Sequence, residues 1–197
     1  AVLKEEVRDF VLAPAGPTHV ITDRGRHAVD AVAITAGAWS KRLAVRLGHR
    51  PLLDTERGYH VMFPNPGVMP RLPIYSGDYS FAVTPLEHGL RFAGTVELGG
   101  LEAPPNYARA NVLIERGRRM FPGLDESAKT EWMGFRPSMP DSVPVISGSD
   151  RHPNAFFTFG HGHVGLTLAA VSGRLIADLV AGRDPGLDMR PYCIDRF

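Results

Sequence analysis

The sequence predicts an α+β (α/β) fold, in which a mixed sheet combines antiparallel strands in the middle of the chain with a strand–turn–helix unit near its end. Three observations lead to this fold class. A long β-hairpin pattern fills the middle of the chain, helical patterns lie on both sides of it, and a glycine-rich turn joins the last apolar strand to the last helix. Strands and helices in such an order are typical of mixed domains.

Length and composition limit the possible classes. With 197 residues, 44% of them apolar, the chain can form one domain or two small ones with a real core. Lysine and arginine (22) nearly balance aspartate and glutamate (21), which gives no indication of a nucleic-acid surface. Cys193 is the only cysteine, which excludes an internal disulfide and a cysteine-based zinc site and fits a reducing compartment.

The beginning of the chain has an unusual character. The stretch "AVLKEEVRDF" has no initiator methionine, no signal-peptide layout and no helix cap. We therefore expect that this chain is a piece of a longer protein.

The first third predicts a hairpin, a strand and a short helix. Residues 18–35 form two β-rich runs around Asp23-Arg24-Gly25, and the second run, residues 28–35, is apolar enough for a strand covered on both faces. The stretch "AGAWSKRLAVRLG" then predicts a helix through Leu47, with Gly48 at the C′ position.

The middle of the chain predicts antiparallel strands and one helix. After a strand at "RGYHVMFP", the clearest hairpin has two alternating arms joined at Glu87-His88-Gly89. The alternating apolar residues are Tyr79, Phe81 and Val83 on one arm and Leu90, Phe92 and Gly94 on the other. Helical spacing then relates Ala110, Leu113, Ile114, Gly117 and Phe121, and three further strands are predicted at "TEWMGFRP", "VPVIS" and "NAFFTF".

The last part predicts a helix over residues 166–180 that follows the turn at residues 160–165. Its apolar residues, which we expect to face inward, are Leu166, Leu168, Ala169, Val171, Leu175, Ile176, Leu179 and Val180. A strand, a glycine-rich turn and a helix can present backbone N–H groups to an anion or a polarised carbonyl. The alternative is a helix entry that only needs positive φ angles.

Two histidines in this turn raise the question of a metal. His161 and His163 are two residues apart, and no neighbouring carboxylate or cysteine completes a tetrahedral set. We therefore predict that no metal is bound. The chain also lacks a Gly-x-Ser-x-Gly elbow, and Cys193 has no histidine beside it, so no nucleophile is indicated.

Arg136 is the strongest single candidate for ligand binding. It lies between Phe135 and Pro137 at the end of a predicted strand, and a guanidinium in apolar surroundings needs an anionic partner. Its fork suits a carboxylate, which it can bind through two hydrogen bonds. The alternative is an internal salt bridge, for which Asp141 is one candidate partner.

Together these segments resemble the family of FAD enzymes that comprises D-amino-acid oxidase, D-amino-acid dehydrogenase and glycine oxidase. The resemblance covers nearly the whole chain, in the family's order. It rests on "VDAVAITAGAWS", "ERGYHVMF" with "FAVTPLEHGLRFAGTVELGG", "GFRPSMPDSVPVIS" and "FGHGHVGLT". The family's N-terminal Gly-x-Gly-x-x-Gly is absent here, so the resemblance implies the C-terminal half of such an enzyme.

The resemblance implies a division of the chain and a set of site residues. Residues 1–48 would be part of the FAD-binding domain, residues 49–135 the substrate domain, and residues 136–197 the return to the FAD-binding domain. Arg136 would hold the substrate carboxylate, and the pocket would be lined by Tyr59, His60, Phe81 and Thr95. The cofactor would be bound by Ala36, Gly37, Trp39, Gly160, His161, Gly162, His163, Val164, Gly165, Leu166 and Thr167.

The resemblance also implies a reaction. A D-amino acid, glycine or an N-methyl amino acid would lose a hydride to FAD, whereas this chain alone, which lacks the N-terminal dinucleotide-binding part, would bind FAD poorly and be inactive. Two alternatives stay open: oxidation of a 2-hydroxy acid by a flavoprotein of the same group, and a stand-alone binding domain without flavin. We expect a cytoplasmic location, with attachment to the inner face of the membrane as a variant, and no nucleic-acid partner.

Overall fold

The computed structural model describes residues 1–197, which fold into two compact units. The first unit contains Ala1–Asp54 and Arg136–Phe197, and the second contains Thr55–Phe135. The first unit is thus built from both ends of the chain, and the second is inserted between them. The sequence analysis placed the domain borders after residues 48 and 135, and the structure places them after Asp54 and Phe135. The roles of the two units in cofactor and substrate binding stay predictions.

Eleven strands and three α-helices form these units. The strands are β1 (Val7–Ala13), β2 (Gly16–Thr22), β3 (Arg26–Ala28), β4 (Val32–Ile34), β5 (Asp54–Phe63), β6 (Ile74–Ser76), β7 (Phe81–Leu86), β8 (Gly89–Glu97), β9 (Thr130–Ser138), β10 (Val145–Gly148) and β11 (Ala155–Phe159). The helices are α1 (Ser40–Arg46), α2 (Ala108–Met120) and α3 (Gly165–Val180), with 3-10 turns at Gly37–Trp39 and Arg190–Tyr192. None of the helices is long and apolar enough to cross a membrane. The mixed α and β fold predicted from the sequence is confirmed.

The first unit contains two three-stranded sheets. An antiparallel sheet has the order β1-β2-β3, and a mixed sheet has the order β10-β11-β4, in which β11 runs parallel to β4 and antiparallel to β10. The hairpin predicted around Asp23-Arg24-Gly25 is confirmed as the β2–β3 connection. Buried side chains from both parts of the chain share one core, which includes Phe10, Ile34, Leu47, Phe157 and Phe159.

One strand prediction in this unit is wrong. Residues 28–35 form two strands in different sheets, because β3 ends at Ala28 and β4 begins at Val32. Asn154 fixes the segment that links these two strands. Its side-chain Nδ2 donates to the carbonyl of Asp30 (2.9 Å), and its backbone carbonyl accepts the N–H of Val32 (2.9 Å). Ala33 is exposed, so β4 is not covered on both faces in this chain.

Helix α3 confirms the predicted segment but not its predicted orientation. Leu175 is buried, and Leu168, Ile176 and Leu179 are half-buried. The prediction that Leu166, Ala169, Val171 and Val180 also face inward is wrong, because all four are exposed, Leu166 by 93%. The helix is apolar on more than one side, and only the stripe that meets β10 and β11 finds a partner in this chain.

The C-terminal segment is attached to the first unit by polar contacts. The guanidinium of Arg196 donates to both carboxylate oxygens of Asp141 (2.8 and 2.9 Å) and to the carbonyl of Val143 (2.5 Å). The fully buried His49 bonds the carboxylate of Asp195 through Nδ1 (2.8 Å) and the hydroxyl of Ser149 through Nε2 (2.7 Å). These contacts join positions that are far apart in the sequence.

The second unit is a five-stranded sheet with α2 against one face. The strand order is β6-β7-β8-β5-β9, and β9 continues past the border at Phe135. The predicted hairpin is confirmed, with Glu87-His88 as its two-residue turn, although Tyr79 precedes the first strand. The helical spacing predicted for α2 is also confirmed: Ala110, Leu113, Ile114 and Gly117 are buried, and Phe121, the C-cap residue, is half-buried.

Arg57 organises one end of this unit. Its fully buried guanidinium donates to the carbonyls of Gly100 (2.6 Å), Ala103 (2.7 Å) and Pro104 (3.2 Å) and lies 3.7 Å from the carboxylate of Glu97. A buried charge is tolerated only when it is paired and hydrogen-bonded, and these contacts satisfy that condition. Arg57 therefore fixes the path of the chain between β8 and α2.

The contact between α2 and the sheet gives a first test of this packing. A Cβ at Gly117 would lie 2.1 Å from Cε2 of Phe92, whereas a Cβ at Gly173 in α3 would meet nothing within 4 Å. We expect Gly117→Ala to lower the free energy of unfolding by about 1–3 kcal/mol through overpacking. Gly173→Ala should raise it by about 0.5–1 kcal/mol, because alanine favours a helix interior. Urea unfolding of both variants is the measurement, and equal shifts would contradict the assigned packing.

A second test concerns the pH dependence of the C-terminal attachment. Hydrogen bonds from Arg196 hold the pKa of Asp141 below its ordinary value. A depressed carboxyl pKa stabilises the fold above the unfolded pKa of about 3.9, and this stabilisation is lost as pH falls through the folded pKa. We expect Arg196→Met to melt below the wild type at pH 7, with a difference that narrows below about pH 4.

The matched control is Arg190→Met. This substitution removes an exposed pair with Asp188 and should change the melting temperature little, because exposed pairs contribute little. A difference between Arg196→Met and the wild type that stays constant from pH 7 to pH 3 would show that the Asp141 carboxylate adds nothing.

Candidate functional site

Two of the predicted cofactor segments lie at one edge of the mixed sheet in the first unit. The parallel register pairs Val32 with Ala155 and Ile34 with Phe157, so β4 and β11 end at the same edge. The segment with Ala36, Gly37 and Trp39 follows β4, and the glycine-rich turn follows β11. Neighbouring strands are about 4.8 Å apart, and the carboxyl ends of parallel strands form the usual ligand crevice of open α/β sheets.

The glycine-rich turn has a backbone that favours glycine. Gly160 and Gly162 have φ angles of +81° and +54°, in the left-handed region. A Cβ at Gly160 would lie 2.7 Å from Cγ of Met139, and the N–H of Gly162 donates to the carbonyl of Pro137 (2.7 Å). The turn is therefore held against residues 137–139. At Gly162 a Cβ would meet only Oγ of Ser138, at 4.0 Å, so a ligand has room to approach there.

The helix that follows this turn begins without a side-chain cap. Val164 is its N-cap residue, and no side chain accepts a hydrogen bond there. The N–H groups of Gly165, Leu166 and Thr167 belong to the first turn, where a helix offers no internal acceptor. They carry partial positive charge, and the side chains of His163, Val164, Leu166 and Thr167 are exposed around them. This arrangement fits a ligand that brings a carbonyl or an anionic oxygen.

His161 is directed into the fold. Its Nε2 bonds Oγ of Ser172 on α3 (2.9 Å), and burial lowers the pKa of the imidazole below its ordinary value. Burial therefore favours the neutral form of the ring. His161 thus fastens the turn to the helix, while the neighbouring His163 is exposed.

The segment after β4 borders open space. Gly37 has a φ of +55°, and a Cβ there would meet nothing within 4 Å, while Ala36 is half-buried and Trp39 is exposed. A cavity of about 450 Å³ lies beside it, lined by Glu5, Glu6, Val7, Ala36, Trp39, Arg42 and Leu43. A glycine without neighbours, an uncapped helix and an adjoining cavity together fit a flat cofactor with acceptor oxygens.

Arg136 is half-buried between Phe135 and Pro137 in β9, at the point where the chain returns to the first unit. The alternative partner suggested by the sequence, Asp141, is bound by Arg196 through both carboxylate oxygens. An internal salt bridge therefore stays an alternative for Arg136. Its role in binding a substrate stays a prediction.

The predicted pocket residues of the second unit lie on opposite faces of its sheet. Alternation along β5 directs Tyr59, with 1% exposure, toward the core side and His60 toward the other face. The hydroxyl of Tyr59 donates to Glu97 (2.5 Å). Burial raises the pKa of this hydroxyl most, and the hydrogen bond to Glu97 raises it further. Phe81 packs edge-on against Phe92 in the core. Tyr59 and Phe81 therefore do not share a face with His60, and our expectation of one common lining is corrected.

His60 and Thr95 have distinct settings in the same unit. The ring of His60 stacks on the indole of Trp132, with 4.9 Å between centroids. Burial lowers the pKa of His60 most, and the charge of Arg91 lowers it further. Thr95 has a φ of +65° and lies in a bulge of β8, between the pairs of Tyr59 with Gly94 and Arg57 with Glu97. A threonine in the left-handed region is unusual, and such positions concentrate at functional sites.

The sequence did not reveal the array of Ser149, His49 and Asp195. These residues lie about 100 and 146 positions apart, and only the fold brings them together. Oγ of Ser149 also accepts the N–H groups of Arg151 (3.1 Å) and His152 (3.0 Å). The hydroxyl therefore caps a turn, and the array closes the C-terminal segment onto the first unit.

Comparison with known proteins gives a consistent result. The family described as FAD dependent oxidoreductase matches residues 1–179. A D-amino-acid oxidase of Bradyrhizobium diazoefficiens is 43% identical over 182 residues, which are 90% of this chain and 43% of that protein. A D-amino acid dehydrogenase of Paramagnetospirillum magneticum is 36% identical over 179 residues, 89% of this chain and 42% of that protein. The chain thus spans less than half the length of these relatives.

Solved structures agree in fold. Glycine oxidase from Geobacillus kaustophilus superposes with a TM-score of 0.82 at 23% identity, over 98% of this chain and 52% of that chain. The L-amino acid deaminase from Proteus vulgaris superposes with a TM-score of 0.76 at 23% identity, over 97% of this chain and 49% of that chain.

Proposed function

Because the chain belongs to the family of FAD-dependent oxidoreductases, we propose that it forms the C-terminal part of an enzyme that oxidises an amino acid with FAD. The observation that carries this proposal is the common edge of β4 and β11, where two glycine-containing segments and an uncapped helix meet. The names of the relatives at 43% and 36% identity favour an amino acid over a 2-hydroxy acid. The family match over residues 1–179 argues against a binding module without flavin.

The proposed role of the first unit is to hold FAD by its backbone. The N–H groups of Gly165, Leu166 and Thr167 would donate to an acceptor oxygen of the flavin ring. Their partial positive charge, with the helix behind them, would favour negative charge at that oxygen. Gly37 and Gly162 would let a planar group approach the backbone closely, since neither position has a side chain and each is open.

The proposed role of Arg136 is to bind and orient the substrate. Its guanidinium would hold the α-carboxylate through two charge-assisted hydrogen bonds, and the flanking Phe135 and Pro137 would keep water away. Bound FAD would supply the acceptor for the hydride of the substrate Cα, and water would then hydrolyse the imino acid to a keto acid and ammonia. A substrate that arrives with a neutral amine needs no side-chain base, so positioning is the main task of the protein.

The Arg136 assignment predicts a selective loss of activity. In the full-length enzyme, Arg136→Leu should lower kcat/KM on the best amino acid by an amount that corresponds to roughly 2–5 kcal/mol, because a buried carboxylate would lose its partner. Arg136→Lys should restore only part of it, since an ammonium cannot reproduce the fork. Bound flavin and its absorbance should be unchanged in both variants. Wild-type kcat/KM in Arg136→Leu would show that Arg136 only supports the strand end.

The division of the protein predicts what the isolated chain does. The 197-residue chain should bind FAD weakly and oxidise no amino acid, because it spans only 43% of the D-amino-acid oxidase to which it is similar. Flavin fluorescence titration and an oxidation assay with an artificial electron acceptor measure both properties. Turnover by the chain alone at the rate of the full-length enzyme would refute the proposal.

A further inference from the structure

Strand β4 forms an open edge of the mixed sheet in the first unit. It pairs with β11 on one side, and its other side is the end of the sheet. The N–H of Val32 donates to the carbonyl of Asn154, on the β11 side (2.9 Å). Successive residues of a strand direct their N–H and C=O groups to opposite sides, so the backbone groups of Ala33 face the open edge.

This edge lacks the features that usually keep an edge strand from pairing. Residues 31–36 contain no charged residue and no proline, whereas edge strands that face solvent commonly carry one or the other. The outer strands of the neighbouring sheet, β1 and β3, do carry charges, at Arg8, Asp9 and Arg26. The edge of β4 is therefore typical of a strand that has a second partner.

An apolar cavity of about 370 Å³ follows this edge. Residues 31–36 line it from β4, and Phe10, Val20 and Val29 line it from the neighbouring sheet. Successive residues of β4 point to opposite faces of the sheet, and both kinds line the cavity, so the cavity surrounds the edge itself. Thr35 is its only polar lining residue, which makes it suitable for apolar side chains.

Helix α3 covers only part of the mixed sheet. It contacts β10 and β11. Ala33 pairs with Phe156 of β11, and these two side chains lie on the face opposite to the buried pair of Ile34 and Phe157. Phe156 is only 9% exposed, whereas Ala33 is exposed. On this face the sheet is thus covered over β11 and open over β4.

A second apolar side of α3 is also uncovered. Leu166, Ala170, Gly173, Ala177 and Val180 follow one another at intervals of three and four residues, and all are exposed. This spacing places them along one side of the helix, which we call the α3 stripe. A Cβ at Gly173 would meet nothing within 4 Å, so small residues leave room at the centre of the stripe for another helix to approach.

The relatives contain enough additional chain to supply a partner for both surfaces. The chain covers 43% of the D-amino-acid oxidase of Bradyrhizobium diazoefficiens and 52% of the glycine oxidase structure with which it superposes. A second copy of this chain fits less well, because the uncharged edge that it offers is β4, which has three residues. A contact of that size buries far less area than stable association requires.

We propose that the open edge of β4 and the α3 stripe form one docking surface, which takes a strand and a connected helix from the N-terminal part of the full-length protein. The inference rests on the proposed function, in which this chain is the C-terminal part of the enzyme. The docked strand is buried on both faces, between the apolar cavity and its own helix, so its sequence is a continuous apolar run. The docked helix covers Ala33 and packs against Gly173.

The docking surface is already formed in the 197-residue chain. Strand β4 is held by its pairing with β11 and by Asn154, and α3 is fastened by the hydrogen bond between His161 and Ser172 (2.9 Å). The core beneath β4 comes from both ends of this chain. The N-terminal part therefore adds a strand and a helix to an existing unit, and the isolated chain is the reference for each test.

Hydrogen exchange at single residues tests the strand. The N–H of Ala33 should exchange rapidly in the isolated chain and at least about a hundredfold more slowly in the full-length protein. Val32 is the internal control, because its N–H already bonds Asn154 and should exchange slowly in both proteins. Equal rates for Ala33 in the two proteins overturn the docked strand. Rapid exchange of Val32 in the isolated chain overturns the claim that the surface is already formed.

Substitutions test the helix and the burial of the surface. In the isolated chain, Gly173→Leu and Ala33→Lys should leave the melting temperature unchanged or raise it, because both positions are open. In the full-length protein both should lower it, since leucine overpacks a helix contact and the lysine charge becomes buried. The matched control is Ala28→Lys, at an exposed position of the edge strand β3, which should change neither protein. Equal effects in the two proteins overturn the docking surface.

Two further measurements separate the remaining alternatives. Sedimentation of the isolated chain as a monomer supports the proposed partner, whereas a dimer that Ala33→Lys dissociates overturns it in favour of a second copy. FAD content and amino-acid oxidation are measured on the same full-length sample. Protection of Ala33 in a protein that oxidises no amino acid refutes the proposed function and leaves the docking surface standing, and oxidation without protection of Ala33 does the reverse.

Discussion

The parallel pairing of β4 with β11 is the contact on which the first unit depends. It joins residues 32–34 to residues 155–157, across the whole length of the second unit in the sequence. A parallel pair cannot be closed by a tight turn and requires a long connection, which the inserted unit supplies. Once formed, it brings the two chain ends into one core and aligns the carboxyl ends of both strands at one edge. The position of the backbone N–H groups at the start of α3 is therefore a consequence of the sheet topology.

The C-terminal residues reinforce this arrangement by polar contacts. His49 is fully buried between Asp195 and Ser149, and Arg196 reaches Asp141 and the carbonyl of Val143. In this set each polar group has a defined partner, so the set specifies one position for the C-terminal segment in a way that apolar packing alone does not. The hydroxyl of Ser149 is committed to capping a turn, which explains why an array with the residue types of a catalytic triad has a structural role.

In the second unit the two-residue period of the strands separates core positions from positions on the face that α2 does not cover. Tyr59, Phe81 and Phe92 fill the side that α2 covers, with Gly117 providing the space for the ring of Phe92. His60 and Arg91, which follow Tyr59 and precede Phe92 in the sequence, lie on the other face, where burial and then the charge of Arg91 lower the pKa of the imidazole. One step along a strand therefore moves a side chain from the core side of the sheet to its opposite face.

The sequence by itself determined the elements whose signals are local. The hairpin at Glu87-His88, the inward residues of α2 and the glycine-rich entry to α3 all follow from periodicity or turn chemistry within a short window. The tertiary structure decided what depends on distant partners. It split residues 28–35 between two sheets through Asn154, left Leu166 and Val171 exposed, and paired Asp141 with Arg196. Burial and pairing depend on which surfaces meet, and residues far apart in the chain supply those surfaces, so no local pattern can specify them.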